Sequence, residues 1–355
     1  MTHAVVRMAA LAMLVAAAPA VRQTAPGSAL QTLGDREFWE LTRMASEPGG
    51  GAGIENLVSN EVGYLRVFPE LASHTRGGAY LGVGPEQNFT YIANLRPDVA
   101  FIVDIRRANR DLHLLYRALF ELAQDRVEFV SLLFSLPRPG GLVASSTAAQ
   151  IFAAFDRVKK SEPDFRANLA RVTAWLRARS WPLSDDEWRG IETGYEQFFQ
   201  FGPRIASDSM HGGSPINMAE LLKLRPTGYS ALMEATDARG ESRSFLSTEE
   251  RFQTVRALQR KNLVIPIVGD FAGPKALRAV GTWLRARGTT VSTFYLSNVE
   301  DYLRLAGSWD AFCRNVASLP VDARSQFISS SAGASRPRVG PSWTGALDAL
   351  TRPCR

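Results

Sequence analysis

Short apolar runs that end in glycine, acidic or polar residues mark the strands of a sheet. The first begins at Ala79 and ends at a glycine turn, and the next three are Val99–Ile105, Leu263–Val268 and Val291–Leu296. A weaker fifth run is Gln326–Ser329. Continuous apolar runs of this length are typical of strands buried on both faces, as in a parallel sheet.

Between these runs the apolar residues recur at helical spacing, and the pattern predicts helices on both faces of the sheet. Predicted helices are Asp35–Met44, one starting near Ser59–Asn60, one from the first glycine turn to Arg96, Arg110–Phe134, Thr147–Lys160, Pro163–Arg179, Asp185–Phe201 and Thr248–Gln259. Two capping boxes, Ser247 with Glu250 and Ser297 with Glu300, are expected to open helices. The pattern as a whole predicts an α/β fold, a Rossmann-like three-layer sheet with an all-helical insertion.

The expected organisation divides the chain into three parts after residue 20. Residues 21–58 form an N-terminal extension with a short helix, 59–335 form the α/β domain with its insertion at about 137–225, and 336–355 form a tail. A loop rich in glycine, serine and proline, Gly202–Asn217, is expected to be a surface connection rather than a lid.

The turn after the first strand carries the most specific motif. Gly82 and Gly84 allow a sharp exit and close approach of a ligand, and Pro85 suits the first position of a helix. Asp104 ends the second strand about twenty residues later, where an acid can hold ribose hydroxyls. Gln87 stands where a dinucleotide fingerprint has its third glycine. A plain helix-starting turn is the equally weighted alternative.

Glu86 favours one class of ligand over another. A carboxylate in the first turn of a helix opposes the partial positive charge that binds phosphate, so a dinucleotide is disfavoured. A neutral, zwitterionic or cationic ligand such as S-adenosylmethionine fits better. The alternative is that Glu86 only stabilises the helix start. Arg106 points to the same side as Asp104 and is a further cofactor-binding candidate, with a structural ion pair to Asp104 or to Glu86 as the default alternative.

Polar residues at the other strand ends are expected to converge on the same crevice. Asp270 is the catalytic candidate, and Ser297 and Asn298 join the cofactor-binding candidates. For Asp270 a turn residue that bonds its own backbone is the slightly favoured alternative. His113 is expected to be a satisfied histidine rather than a proton donor, and Glu61 to complement a helix dipole rather than face the site.

Composition, charge and the amino terminus bear on compartment and partners. The net charge of +6 comes from 41 basic and 35 acidic residues that are scattered, so nucleic-acid binding is not expected. Residues 1–20 resemble a signal peptide, with Arg7, an apolar stretch too short to span a bilayer, and a small-residue cleavage site at Ala18–Ala20. We expect an exported protein, periplasmic or extracellular, with an uncleaved anchor as the alternative.

Two cysteines and four histidines are the only soft ligands for a metal. Cys313 and Cys354 are expected to form a disulfide in an oxidising compartment. The histidines show no ligand spacing, so no metal site is expected. Oligomeric state is not predicted.

Six segments together resemble a bacterial family of uncharacterised proteins across most of residues 35–330. They are Asn56–Glu61, Gly82–Ile92, Val103–Arg107, Leu114–Glu121, Val268–Lys275 and Phe294–Glu300. The resemblance implies a Rossmann-like fold similar to S-adenosylmethionine-dependent methyltransferases. The family also implies an arginine within Phe327–Ser330, which this chain lacks.

Two classes of function follow. The first is a protein that binds a small polar or adenosyl-like ligand at the strand tips, in its sharpest form a divergent methyltransferase. The second is a non-enzymatic exported binding or scaffold protein on the same fold. S-adenosylmethionine is a cytosolic cofactor, and its use conflicts with the predicted export. Either residues 1–20 are not a signal peptide, or the ligand is a different one, or the fold is used without methyl transfer. No G-x-S-x-G sequence supports a serine hydrolase.

Overall fold

A six-stranded sheet forms the centre of the molecule in a computed structural model of the chain. The structure describes residues 30–49, 56–61, 63–71, 77–206 and 228–330, and the backbone of Trp343–Ala346. The strands are β1 Ala79–Gly82, β2 Val99–Asp104, β3 Val264–Val268, β4 Val291–Ser297, β5 Gln326–Ser329 and β6 Trp343–Ala346. Their order is β3-β2-β1-β4-β5-β6, and only β6 runs antiparallel.

Thirteen α-helices surround the sheet in the described part of the chain. They are α1 Asp35–Ala45, α2 Phe68–Leu71, α3 Gln87–Leu95, α4 Arg107–Leu122, α5 Arg126–Phe134, α6 Ala148–Phe155, α7 Glu162–Arg177, α8 Asp185–Phe201, α9 Tyr229–Glu234, α10 Glu249–Arg260, α11 Ala276–Arg285, α12 Val299–Leu305 and α13 Trp309–Ala317. Short 3₁₀ helices cover Tyr64–Val67 and Gly202–Arg204. The predicted α/β, Rossmann-like three-layer fold is confirmed.

Aromatic packing joins the layers. On one face, Phe89 of α3 contacts Phe120 of α4 with ring centroids 5.1 Å apart, and Phe120 contacts Phe252 of α10 at 5.5 Å. On the other, Phe101 of β2 contacts Trp283 of α11 at 5.4 Å. Every residue of β2 is buried, which explains why its sequence shows no polar alternation.

The helical insertion packs on α4 rather than on the sheet. Two of its helices, α6 and α8, begin at capping boxes, formed by Thr147 with Gln150 and by Ser184 with Glu187. The Tyr195 hydroxyl of α8 donates to the Leu132 carbonyl at 2.6 Å and so fixes the insertion to α5. Most of the Gly202–Asn217 loop lies outside the described residues.

Several predicted helix boundaries were wrong because a side chain has a different hydrogen-bond partner from the one expected. The helix expected over Arg110–Phe134 is two helices, because the Asp125 side chain accepts from the Glu128 amide and starts a new one. Thr248, not Ser247, caps α10, since the Ser247 hydroxyl donates to the Ser244 carbonyl. Likewise Ser297 forms no capping box, because its hydroxyl donates to Glu61.

The segment before β1 also differs from the prediction. Helical structure starts at Tyr64, not near Ser59–Asn60, because the Ser59 amide and hydroxyl bind Glu86 and Gln87 instead of capping a helix. At the other end of the chain, β6 lies within the stretch expected to be a tail, and it pairs with β5.

Other predictions about the ends of the chain fall wholly or partly on residues outside the described part of the structure. The expected signal peptide, residues 1–20, lies outside the described residues. Cys313 is engaged in a disulfide, and the chain's other cysteine, Cys354, lies outside the described part. Among the described helices, none has the length and apolar character needed to cross a membrane.

Candidate functional site

The sheet reverses its strand order between β1 and β4. In open α/β sheets the crevice beyond the carboxyl ends of the strands at such a point is where ligands bind. The turn after β1, Gly82–Gln87, and the end of β4 at Ser297 and Asn298 border this crevice. The predicted cofactor-binding residues in these two segments therefore lie at the crevice where a ligand was expected.

Gly82 and Gly84 are required for different structural reasons in the turn after β1. An added Cβ at Gly82 would clash with Asn88 and would lie 2.8 Å from the Tyr80 ring, so Gly82 is required by packing. Asn88 donates to the carbonyls of Gly84 and Pro85 at 3.0 and 2.8 Å and holds the turn. Gly84 has φ +80°, and an added Cβ there would meet no described heavy atom within 4 Å. Gly84 is thus a buried position with room beside it.

Asp104 is already engaged by the chain. Its Oδ1 accepts from the amide and the Nε of Arg106, both at 2.9 Å, and its Oδ2 accepts from Arg106 at 2.7 Å and from the Gly84 amide at 3.2 Å. Arg106 therefore pairs with Asp104, as expected. The acid expected to hold ribose hydroxyls can do so only if Arg106 withdraws.

Glu61 is the residue that joins the strand ends. Its carboxylate accepts from the hydroxyl of Ser297 after β4, from Ser330 after β5 at 2.7 Å, and from Gln87 at the start of α3 at 3.2 Å. The expectation that Glu61 complements a helix dipole was wrong, because its segment is not helical. The signal in the sequence that could have identified Glu61 is that it belongs to Asn56–Glu61, one of the six segments that carry the family resemblance.

Glu86 points inward from the start of α3. It is fully buried, and both carboxylate oxygens accept from the Ser59 amide at 3.2 Å. Burial raises the pKa of Glu86 to about 8, against the smaller lowering by the Ser59 amide. Glu86 is therefore not a solvent-exposed carboxylate that only stabilises the start of α3.

His113 lies behind the same turn. Its Nε2 is 3.0 Å from the Gly84 carbonyl, which can only accept, so Nε2 carries the proton and Nδ1 is a lone-pair acceptor. Nδ1 is buried and lacks a hydrogen-bond partner among the described residues. Burial lowers the pKa of His113 to about 4, so the ring is neutral at pH 7.

Asp270 occupies the turn after β3. Its side chain accepts from the Ala272 amide at 2.8 Å, the geometry of a residue that stabilises its own turn. Glu47, from the segment after α1, accepts from the amides of Asp270, Lys275 and Ala276 at 3.1, 2.7 and 2.8 Å. The start of α11 is thus capped by a carboxylate from another part of the chain.

The fold brings some of the predicted site residues together and leaves others apart. Gln87 and Ser297 meet through Glu61, while Gly84, Asp104 and Arg106 form a second linked group. Asn298 is exposed, and its Oδ1 lies 3.4 Å from the Ser297 hydroxyl. Within the residues that the structure describes, no cluster of acidic, histidine or cysteine side chains suits a metal ion.

Residues 56–138 and 227–342 match a family described as a domain of unknown function, DUF7790. The chain belongs to this family. The DUF7790 match includes the turn after β1, Glu61, Asp104 and the end of β4, and it omits the stretch that carries α6, α7 and α8. No curated protein matches the chain.

Proposed function

We propose that this protein binds a small polar ligand in the crevice between the ends of β1 and β4, with S-adenosylmethionine as the first candidate. The carrying observation is Gly84, a buried glycine with a left-handed backbone at the point where the strand order reverses, whose added Cβ would meet no heavy atom of the described residues within 4 Å. Among the described residues, no side chain blocks the approach of a ligand to the backbone there. Glu61 and Asp104 stand on two sides of the same turn.

The polar groups suit an adenosyl ligand only after one rearrangement. Asp104 has the position of the acid that holds ribose hydroxyls, but Arg106 and Gly84 now occupy its acceptor sites. Arg106 follows two residues after Asp104 and its side chain is 17% exposed, so a bound ribose would require this side chain to rotate away from Asp104. In a methyltransferase the ligand would supply the methyl group, and these residues would bind and orient it.

Titration calorimetry with S-adenosylmethionine and S-adenosylhomocysteine tests the proposal. We expect saturable binding that Asp104→Asn weakens at least about tenfold, or roughly 1.4 kcal/mol. Asp186→Asn, a surface acid on α8, is the matched control and should bind as the unaltered protein does. Absence of binding at millimolar ligand would reject the adenosyl ligand.

A binding or scaffold protein without chemistry is the second candidate. The observation that favours it is that Asp104 and Asp270 are both satisfied within their own turns. This version predicts that Asp104→Asn and Asp270→Asn leave unchanged the small molecules that co-purify with the protein, as measured by mass spectrometry. Loss of a co-purifying ligand in a folded variant would show that the altered acid binds it, and would count against a scaffold protein that has no ligand at the strand tips.

A further inference from the structure

Ser297 has a backbone conformation that the ordinary explanation does not cover. In the described part of the chain, five residues other than glycine have a positive φ. Four of them follow the end of a helix by one to three residues, where a left-handed residue is common. These four are Arg96, Ser135, Ser180 and Asn262. Ser297, with φ +52°, ends strand β4 instead, and a strained residue of this kind persists mainly at functional sites.

The pairing of β4 with β5 is irregular at the same point. Tyr295 pairs with Ile328. The next pair is Ser297 with Ser329, so β4 has one residue more than β5 there. An extra residue of this kind is a β-bulge, which redirects a side chain and is frequent beside active sites. Because α12 follows directly after Asn298, Ser297 lies in a strand-to-helix turn, the place of the nucleophilic serine in α/β-hydrolases.

The Ser297 hydroxyl is directed at a carboxylate. It donates to Glu61, and this carboxylate also accepts from the Ser330 hydroxyl at 2.7 Å and from the Gln87 side chain at 3.2 Å. The contacts from Ser330 and Gln87 come from two other elements, so they hold the carboxylate in place against Ser297. Glu61 and Ser297 are both only partly buried, so the pair is not sealed in the core.

Asn298 places a side-chain amide beside the same hydroxyl. Its Oδ1 lies 3.4 Å from the Ser297 Oγ, and the residue is exposed. The single proton of the Ser297 hydroxyl goes to Glu61, so an Asn298 amide turned by 180°, with Nδ2 beside the Oγ, is the better match. An N–H donor in this place stabilises the negative oxygen that forms when a serine attacks a carbonyl group.

We infer that Ser297 is the nucleophile of an acyl-transfer reaction on a carboxylic ester, with Glu61 as its general base. The Ser297 oxygen bonds to the carbonyl carbon, its proton passes to the Glu61 carboxylate, and the Asn298 amide donates to the oxyanion. The C–O bond of the ester then breaks, and the leaving alcohol takes the proton from Glu61. Water next attacks the acyl group and gives a proton to Glu61, and the serine oxygen leaves and takes that proton back.

The charge and the basicity of Glu61 define the substrate class. A carboxylate repels anions, so the ester is uncharged near the bond that breaks. A carboxylate is also a weaker base than imidazole, so esters, whose alcohols leave readily, are better substrates than amides. Ser297 lacks the flanking glycines of G-x-S-x-G, which is why its sequence does not resemble that of a serine hydrolase. The reaction goes beyond the proposed ligand binding and does not require an adenosyl ligand.

Labelling of the full chain with diisopropyl fluorophosphate, followed by peptide mass spectrometry, tests the inference. This uncharged reagent forms a P–O bond with a nucleophilic serine as fluoride leaves, and the adduct is stable. We expect the adduct on Ser297, and hydrolysis of p-nitrophenyl acetate that stops as the adduct forms. Absence of an adduct on Ser297, or hydrolysis that continues once Ser297 is fully labelled, would overturn the inference.

Two variants separate a chemical role from a structural one. Ser297→Gly removes the hydroxyl, and glycine adopts a left-handed φ without strain, so the variant should stay folded yet hydrolyse p-nitrophenyl acetate at least about a hundredfold more slowly. Glu61→Gln keeps an oxygen that accepts from the hydroxyls and removes the base, and should lower kcat about a hundredfold while KM stays unchanged. A folded Ser297→Gly variant with unchanged hydrolysis would overturn the inference.

Ser180→Ala is the matched control. Ser180 has nearly the same left-handed φ, +54°, but it is exposed and follows helix α7. The variant should be labelled on Ser297 and should hydrolyse the ester as the unaltered protein does; loss of either in this variant would show that the effects are not specific to Ser297 and would overturn the inference. Failure of S-adenosylmethionine to bind would leave it standing, since neither probe carries an adenosyl group.

Discussion

The turns after β1 and β3 share a pattern of strand, glycine, Gly-Pro and helix, yet the chain treats them differently. At the β3 turn, Gly269–Lys275, the amides at the start of α11 are taken by the carboxylate of Glu47. Gly273 has no Cβ at the place where the Glu47 carboxylate lies. The amides of this turn, which could otherwise bind an anionic ligand, are occupied by the protein's own Glu47 carboxylate.

At the β1 turn, Gly82–Gln87, the acid belongs to the turn itself and points inward. Glu86 is buried and accepts from the Ser59 amide, an added Cβ at Gly84 would meet no described heavy atom within 4 Å, and His113 Nδ1 lacks a described partner. The comparison teaches that the repeated motif alone does not mark a ligand site. Behind the β1 turn His113 Nδ1 is one of several buried polar atoms without a partner in the described part of the chain, and none of these atoms belongs to a residue of the β3 turn.

The largest expected effect comes from filling the two glycines that packing requires. Gly82→Ala places a methyl against Asn88 and the Tyr80 ring, both tightly packed, and should lower the free energy of unfolding by about 3 kcal/mol. Gly273→Ala meets only the end of the Glu47 side chain, which can swing away, and should cost about 1 kcal/mol. Denaturant unfolding followed by circular dichroism measures both.

Gly140→Ala is the matched control, since no described atom lies near its Cβ and its backbone is not left-handed. We expect a change within about 0.5 kcal/mol for that variant. Equal losses in Gly82→Ala and Gly273→Ala would show that the two turns are equally rigid and would remove the contrast between them.

The next effect is a pH dependence that belongs to the β1 turn. The pKa of Glu86 is raised from 4.5 to about 8, so the folded state holds a proton that the unfolded state has lost. Stability from this group is complete below pH 4.5 and is lost as the pH rises through 8. Between pH 7 and 9 the unaltered protein should lose about 1.4 kcal/mol that Glu86→Gln does not lose.

Urea unfolding at pH 7, 8 and 9 tests this difference. The window avoids Asp111 and His113, whose pKa values are shifted to about 6 and about 4. Parallel pH profiles of the two proteins would mean that Glu86 is ionised at pH 7 and that a cation already pairs with it.

The fold was predictable because its signals are local. Continuous apolar runs identified the five parallel strands, and helical spacing placed the helices around them. Boundaries were missed where a side chain had a better partner far away in sequence. Ser59 and Ser297 both have the sequence pattern of helix caps, but their hydroxyls donate to Gln87 and Glu61 instead. These partners lie far away in sequence, so no local pattern could predict them.

The site was only partly predictable for the same reason. The glycines, Asp104 and Arg106 lie within one strand–turn–helix unit, so their spacing was informative. Glu61 lies outside that unit, and no local pattern shows that its carboxylate accepts from Gln87, Ser297 and Ser330. Glu47 gave no signal, because a single acid after a helix is common, and only the fold places it on the β3 turn.

The smallest expected effect concerns that closing acid. Glu47→Ala leaves two amides at the start of α11, those of Lys275 and Ala276, and the Asp270 amide in the β3 turn without their partner. It should lower the free energy of unfolding by about 1 kcal/mol, the usual value of a lost helix cap. Hydrogen exchange should show faster exchange at Lys275 and Ala276, while the amides of α3 stay unchanged. Glu40→Ala, an exposed acid on α1, should leave both measurements as they are. If Glu47→Ala is also without effect on exchange at Lys275 and Ala276, the β3 turn does not depend on the carboxylate that closes it, and the difference between the two turns lies in the β1 turn alone.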